Sequence, residues 1–393
     1  MPGETRRKAD PAALLQKLIR CPSVTPAEAG ALDAVADALA PLGFAVERLR
    51  FATGAYPVDN LFATRGDAGP HLLYCGHVDV VPPGEASDWT HGPFSGDLAQ
   101  GAVWGRGAID MKGSIAAFLA ALDQLEATGG LDGGRVSLIV TSDEEADATD
   151  GTIKVLEWAA AKGHKFDFGL VGEPTSRENF GDMLKVGRRG ALVGMIEVKG
   201  VQGHAAYPHE AKNPLPTLAR ISTALASGKL DDGTDHFPPS HLALTSIDTG
   251  NLAGNVIPAR GRVKFNIRFN DRWTEATLQG WLAERITSVP AEGCDVSLEI
   301  FQPVAQAFVS ADAPAVALLA ESVRAVSGRS PERSTSGGTS DARFIAQYCP
   351  VAEFGGIGKL AHKTDERASV AELVELQAVY AHFIGAFLRT KGQ

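Results

Sequence analysis

The chain has 393 residues, more than one ordinary compact domain holds, so at least two domains are expected. Hydrophobic residues make up 44% and charged residues 21%, which supplies a large core and excludes a disordered chain. Lys and Arg total 37 against 47 Asp and Glu, and the net charge of -10 repels phosphate backbones, so nucleic acid is not an expected partner.

The start, MPGETRRKADPAALLQKLIR, has basic residues but no continuous apolar stretch and no cleavage-site pattern. Leu14, Leu15, Leu18 and Ile19 fall on one face of a helix over 11–19, and a second helix is predicted over 27–40, ended by Pro41 and Gly43. Residues 71–76, HLLYCG, read as a short strand apolar on both faces. A Pro/Gly-rich loop follows, then a helix from Met111 to about Thr128. Strands at 135–141 and 166–172 flank a helix at 152–162. Continuous apolar strands alternating with helices imply a mostly parallel sheet covered on both faces.

After Gly187 the pattern changes. Residues 191–200 alternate apolar and polar, as in a strand with one wet face. A helix at 214–227, strands at 242–248 and 262–269, a helix at 273–288 and a strand at 295–301 follow. That order is the split βαβ arrangement of a small α+β, ferredoxin-like unit. Helices at 314–326, 341–347 and 370–389 and a strand at 349–354 restore the first pattern. The fold expected is therefore α/β. A discontinuous domain of 1–187 and 303–393 would carry an inserted lid or dimerisation domain at 188–302. No apolar run reaches the roughly 18–20 residues that span a bilayer, so no membrane partner is expected. Cys21, Cys75, Cys294 and Cys349 are far apart without a CxxC, and read as buried free thiols of a cytoplasmic protein.

Candidate metal ligands stand where strands end. HLLYCG runs into His77-Val78-Asp79, RVSLIVTSD into Glu144-Glu145, and FDFGLVG into Glu173. The last strand is followed by a Gly-rich loop to His362, and Asp110 in VWGRGAIDMKG precedes a helix. Open α/β sheets bind ligands outside the carboxyl ends of their strands, so these segments can converge on one crevice. Two imidazoles and several carboxylates suit a pair of divalent cations about 3.5–4 Å apart. One glutamate of the adjacent pair can face a metal while the other takes a proton. Read one at a time, each of these residues has an ordinary structural role open to it; their shared position at strand ends carries the metal reading.

The segments GHVDVVPPG, WGRGAIDMKG, TSDEEADATDGT and GEPT resemble the di-zinc metallopeptidase family of aminoacylases, glutamate carboxypeptidases and related amidohydrolases. The resemblance covers nearly the whole chain. It implies that His77, Asp110 and Glu173 bind one Zn²⁺ and Asp110, Glu145 and His362 the other. Asp110 would bridge them, Glu144 would be the general base, and Asp79 would orient His77. Co²⁺ or Mn²⁺ fits the same N/O donors. KVGRRGAL, GVQGHAAYPHEAKNP, GNVIPA and STSGGTSDARFIA resemble, more narrowly, the branch that cleaves N-succinyl-LL-2,6-diaminopimelate to succinate and LL-2,6-diaminopimelate in lysine biosynthesis. That small anionic N-acyl amino acid would be met by Arg188, Arg189, Asn255, Arg268 and the loop Ser336, Gly337, Gly338, Thr339 and Ser340. The resemblance also implies a homodimer in which His204 reaches the partner's site and supports an oxyanion.

Each of these has a bland reading beside it. Arg188 and Arg189 suit surface ion pairs, Arg268 the wet face of a strand, and Ser340 an N-cap. An N-acetylornithine deacetylase would share every metal residue, and a non-catalytic binding relative would lack Glu144. A nucleotide site is unsupported, since VWGRGA is not a GxGxxG turn and GGIGKL lacks P-loop spacing. A serine hydrolase would need GxSxG, and Ser334 stands at the first glycine position.

Overall fold

The computed structural model describes residues 9–390; the basic start at 1–8 lies outside the described residues. The chain divides into two compact units. One runs to Gly187 and includes Ser310–Ser334 and the chain from Ser340 onward. The other is Arg188–Val309 with Thr335–Thr339.

In the first unit the helices begin where local chemistry allows. Asp10 accepts the Ala12 N–H at 3.0 Å and Pro11 takes the first helical position of Pro11–Ile19. The next helix is Ala31–Leu39, four residues shorter at its start than expected. Gly30 sits at φ 85, and Glu28 accepts the N–H groups of Gly30 and Leu32 at 3.0 Å each, so the residues before Ala31 form a turn.

The sheet has eight strands centred on His71–His77, whose residues are all buried. It pairs in parallel with Arg135–Thr141 on one side and Phe168–Val171 on the other. Val351–Glu353 extends the parallel run, and Met183–Lys185 and Glu332–Ser334 complete that side. On the opposite side Val58–Arg65 and Ala45–Phe51 pair antiparallel. These two strands are additions to the expected set; Ala45–Phe51 is an edge with no buried residue, so its sequence lacks a core-facing pattern. Lys112–Glu126 and Val370–Leu388 pack together on one face, with Pro11–Ile19 and Pro314–Ser327 beside them. Thr152–Ala161 and Ala342–Ile345 pack together against the sheet.

Val370–Leu388 corrects one expectation, because its 19 residues are long and apolar enough to cross a membrane by length and composition. Here Leu376, Val379, Tyr380, Phe383 and Ile384 are buried among the helices and the sheet, the setting of a core helix.

The second unit is a four-stranded antiparallel sheet, in the order His241–Asp248, Arg260–Phe269, Gly190–Lys199, Asp295–Ala305. Gly190–Lys199 alternates buried and half-buried residues, so one face is wet. On the other, Leu192, Ile196, Val263, Phe265 and Ile267 meet Leu218, Ile221 and Leu225 of Leu215–Ala226 and Leu278 and Leu282 of Glu275–Thr287. Gly190 lies opposite Phe269, and a Cβ there would stand 2.1 Å from the ring's Cζ, so only glycine fits. The last strand runs to Ala305, past the expected end, and residues 303–309 fall in this unit. The four cysteines form no disulfide; Cys75, Cys294 and Cys349 are buried, while Cys21 is only half-buried, less than expected.

Candidate functional site

The first unit brings six predicted residues together at the carboxyl ends of its parallel strands. His77 ends its strand and stands in register with Thr141, so Glu144 and Glu145 leave the neighbouring strand at the same level. Glu173 follows Phe168–Val171, Asp110 precedes Lys112–Glu126, and His362 lies in the loop after Val351–Glu353. Asp110 is the centre of the group. Its Oδ1 lies 3.2 Å from His77 Nε2 and its Oδ2 3.3 Å from His362 Nε2. Glu145 Oε1 is 2.8 Å from His362 Nε2, while Glu173 Oε1 and Glu144 Oε2 lie 3.7 and 4.0 Å from His77 Nε2.

His77 Nδ1 lies 2.9 Å from the backbone oxygen of Asp79. A carbonyl only accepts, so Nδ1 carries a proton and Nε2 is the nitrogen that faces the cluster, where it can ligate a metal once its own proton is lost. The Asp79 carboxylate, expected to orient His77, makes a longer approach to the ring. Its Oδ1 stands 3.7 Å from the imidazole, and the carboxylate instead accepts the N–H groups of Glu144 at 3.3 Å and Glu145 at 3.1 Å. Asp79 thus holds the glutamate loop, and its peptide oxygen orients the histidine. Burial pushes its carboxyl up to about 6, against the pull of His77.

The electrostatics are those of crowded carboxylates. Burial raises Glu173 well above the carboxylate range, with Asp110 and Glu144 adding to it. Burial likewise raises Glu144, aided by Asp341, Glu145 and Asp110 and opposed by His77. Burial opposes ionisation of Asp110, but hydrogen bonds with His362 and His77 hold it low. Hydrogen bonds with Asp110 and Glu145 lift His362 to about 10. A divalent cation relieves such crowding, and the donor set fits two. His77, Asp110 and Glu173 form one group of potential ligands and Asp110, Glu145 and His362 another, each with donor atoms within 4.8 Å of one another.

Of the remaining candidates, Ser340 shares the first unit with this cluster and the others belong to the second unit. Ser340 is buried in the first unit and its Oγ donates to Glu353 Oε1 at 2.5 Å, so it neither caps the helix, whose N-cap is Asp341, nor presents a free hydroxyl. Ser336, Gly337, Gly338 and Thr339 belong to the second unit, where Arg188 Nη1 donates to Gly338 O at 2.9 Å. Arg189 has a buried Nε without a partner, and burial and the Arg189 charge lower the pKa of Arg268. Asn255 is exposed, and its carbonyl accepts the Ala205 N–H at 2.9 Å. His204 is exposed in the short strand Gly203–His204, paired with Val256–Ile257. Its Nδ1 accepts the Ala206 N–H at 3.0 Å, so the neutral ring keeps its proton on Nε2.

Three buried charges at this site were not read from the sequence: Arg106, Asp341 and Glu366. Arg106 and Asp341 stand in the quoted segments WGRGAIDMKG and STSGGTSDARFIA, and Glu366 follows shortly after His362, where a charge next to glycines or other charges reads as a solvated loop.

A family model described as Peptidase family M20/M25/M40 matches residues 73–386. A succinyl-diaminopimelate desuccinylase of Methylorubrum extorquens (strain PA1) is 50% identical over 379 residues, 96% of this chain and 98% of that one. Among solved structures, the aminopeptidase PepT of Bacillus cereus is 19% identical with a TM-score of 0.76, over 97% of this chain and 99% of that one. A Bacillus subtilis protein described as a dinuclear metal binding peptidase of the M20 family is 17% identical with a TM-score of 0.68, over 98% of this chain and 100% of that one. The chain belongs to peptidase family M20/M25/M40 and is a metal-dependent hydrolase of it.

Proposed function

We propose that this chain hydrolyses the amide of N-succinyl-LL-2,6-diaminopimelate, releasing succinate and LL-2,6-diaminopimelate, as a cytoplasmic homodimer with two Zn²⁺ per subunit. The observation that carries the substrate is the 50% identity, over 96% of the chain, to the Methylorubrum extorquens enzyme named for that reaction. His77, Asp110 and Glu173 hold one cation and Asp110, Glu145 and His362 the other, a ligand set supported by the two donor groups that share Asp110. Bound there, the cations supply Lewis acidity toward the amide carbonyl and lower the pKa of a water.

This chain's own residues do the rest. Glu144, held by Asp79 through its backbone N–H, takes the proton of the attacking water and passes it to the departing amine nitrogen. Glu144 can also group with His77 and Glu145, but neither donor group that shares Asp110 includes it, which supports that division of labour. His204 donates from Nε2 to the developing oxyanion in the partner's site, a role supported by the acceptor state of its Nδ1. Arg189 and Arg268 repel one another, and a substrate carboxylate between them relieves that repulsion. Arg188, Asn255 and the 336–340 loop complete the contacts. Residues 188–302, with the flanks that pack on them, act as lid and dimerisation domain.

The test is an assay of the zinc-loaded protein on N-succinyl-diaminopimelate and N-acetylornithine side by side. A site built to pair a charged acyl group rejects the acyl group lacking it by about 10⁴-fold or more. Comparable kcat/KM on the two substrates would overturn the desuccinylase reading. For His204, the inactive variants His204→Ala and Glu144→Ala are mixed and allowed to exchange subunits. Activity returns if one site in the mixed dimer regains both groups, and the in-trans role fails if exchange is confirmed and activity does not return.

A further inference from the structure

Arg106 and Glu366 form an ion pair in the first unit that the chemistry above does not use. Both are buried, at 3% and 0% exposure. Glu366 Oε2 accepts from Arg106 Nη1 at 2.7 Å, while its Oε1 accepts the N–H groups of Ile109 at 2.9 Å and Asp110 at 3.2 Å. Arg106 also reaches the opposite loop, with Nη1 to Lys363 O at 3.1 Å and Nη2 to His362 O at 3.3 Å, while its buried Nε has no partner. The backbone joins in, as Gly105 N–H donates to Glu366 O at 2.9 Å. One pair therefore fastens the segment carrying Asp110 to the segment carrying His362.

Those two side chains need such a fastening. Asp110 Oδ2 and His362 Nε2 face one another at 3.3 Å, yet His362 sits in a loop at φ 61 with 48% of its side chain exposed. Packing does little to hold an exposed imidazole. On its far side the loop is tied again, where Asp365 accepts the N–H and hydroxyl of Thr90 at 2.7 and 2.8 Å. Stability alone does not account for the pair, because a buried ion pair is often no more stabilising than apolar groups of the same volume. What apolar groups cannot do is fix two backbone segments in register. A planar guanidinium with diverging donors can address one carboxylate and two carbonyls at once.

We infer that Arg106 and Glu366 are positioning residues that set the separation of Asp110 and His362, and so tune the affinity of the metal position that His362 completes. This rests on the ligand reading above. The metal-free full-length chain, Arg106→Lys, Glu366→Gln and His362→Ala are titrated with zinc against a chromophoric competing chelator, with thermal unfolding of each metal-free form measured in parallel. The parent binds two zinc ions and His362→Ala loses one. Arg106→Lys and Glu366→Gln keep both, but bind the ion that His362→Ala loses about 10–100-fold less tightly, the usual cost of removing a group that orients a ligand. Glu366→Gln keeps an acceptor for Ile109 and Asp110, so it decides the matter if Arg106→Lys does not fold.

A purely structural pair would lower the unfolding temperature and leave zinc affinity of the folded variants at the parent value, and that result overturns the inference. If His362→Ala itself binds two zinc ions as the parent does, the ligand reading falls and takes the inference with it.

Discussion

The strand His71–His77 begins and ends with a buried histidine, and the two rings live in opposite environments. His71 Nδ1 lies 2.7 Å from Lys165 O and Nε2 2.8 Å from Ser137 Oγ, so neither ring nitrogen bonds a carboxylate, and Asp167 is taken up by the backbone N–H of His71 at 2.7 Å. Burial, and then the charge of Arg135, push its pKa down to about 4, so it stays neutral. At the other end burial pulls the same way on His77, but Asp110, Glu144, Asp79 and Glu173 overcome it and drive the ring well above its ordinary range. Five residues of one strand thus separate a histidine held neutral from one that faces carboxylates. Burial does not distinguish them. The carboxylates that the neighbouring strands deliver at their carboxyl ends do, as expected of a parallel sheet that concentrates ligands at one edge.

The largest expected effect lies at the reactive end. Glu144→Ala should reduce kcat by about 10²–10⁴-fold while both metals stay bound, measured by steady-state turnover with metal content on the same sample. Glu145→Ala should lose a metal as well. Near-normal turnover in Glu144→Ala would remove the proton-transfer role and with it the functional contrast between the strand's ends. A smaller effect separates the two histidines directly. His77→Ala should lower metal stoichiometry, whereas His71→Ala should leave it unchanged and destabilise the fold by about 2–4 kcal/mol, through the cavity and two orphaned polar groups. Denaturant unfolding and metal analysis of both variants check this; a loss of metal from His71→Ala would erase the distinction.

Much of this site was legible because strand ends announce themselves. An apolar run such as HLLYCG followed by His77 places a candidate ligand without any tertiary knowledge, and the same holds for Glu145 after RVSLIVT and Glu173 after FDFGLVG. The second unit was readable for a similar reason, since one wet face leaves a period of two in Gly190–Lys199. Charge pairing across distant loops leaves no such trace. Arg106 and Glu366 are 260 residues apart, and nothing local to either says that the partner neutralises it in the interior. The shorter contact of Asp79 with His77, through its peptide oxygen, was not legible, because the choice between a peptide oxygen and a carboxylate depends on backbone direction after His77. The edge strand Ala45–Phe51 was passed over because it buries no residue, and an unburied strand has no face for the sequence to mark.

The smallest effect is a pH dependence that belongs to the structural end alone. His71 titrates near 6.5 when unfolded and at about 4 when folded. Between these values the unfolded chain binds the proton and the folded chain does not, so stability rises with pH across the window. The contribution is complete above about pH 6.5 and is lost as pH falls toward about 4. The full shift corresponds to about 3 kcal/mol, and residual solvent screening around the ring reduces it to about 2 kcal/mol. The carboxylates at the other end titrate too, so the parent alone cannot isolate the term. His71→Gln keeps a donor and an acceptor but no titration, and the difference between its unfolding free energy and the parent's, followed from pH 7 down to about pH 4, cancels the cluster at His77. The parent should lose stability relative to the variant as pH falls. A difference that stays flat would mean that His71 is not held neutral, and that the carboxylates alone do not account for the contrast between the two rings.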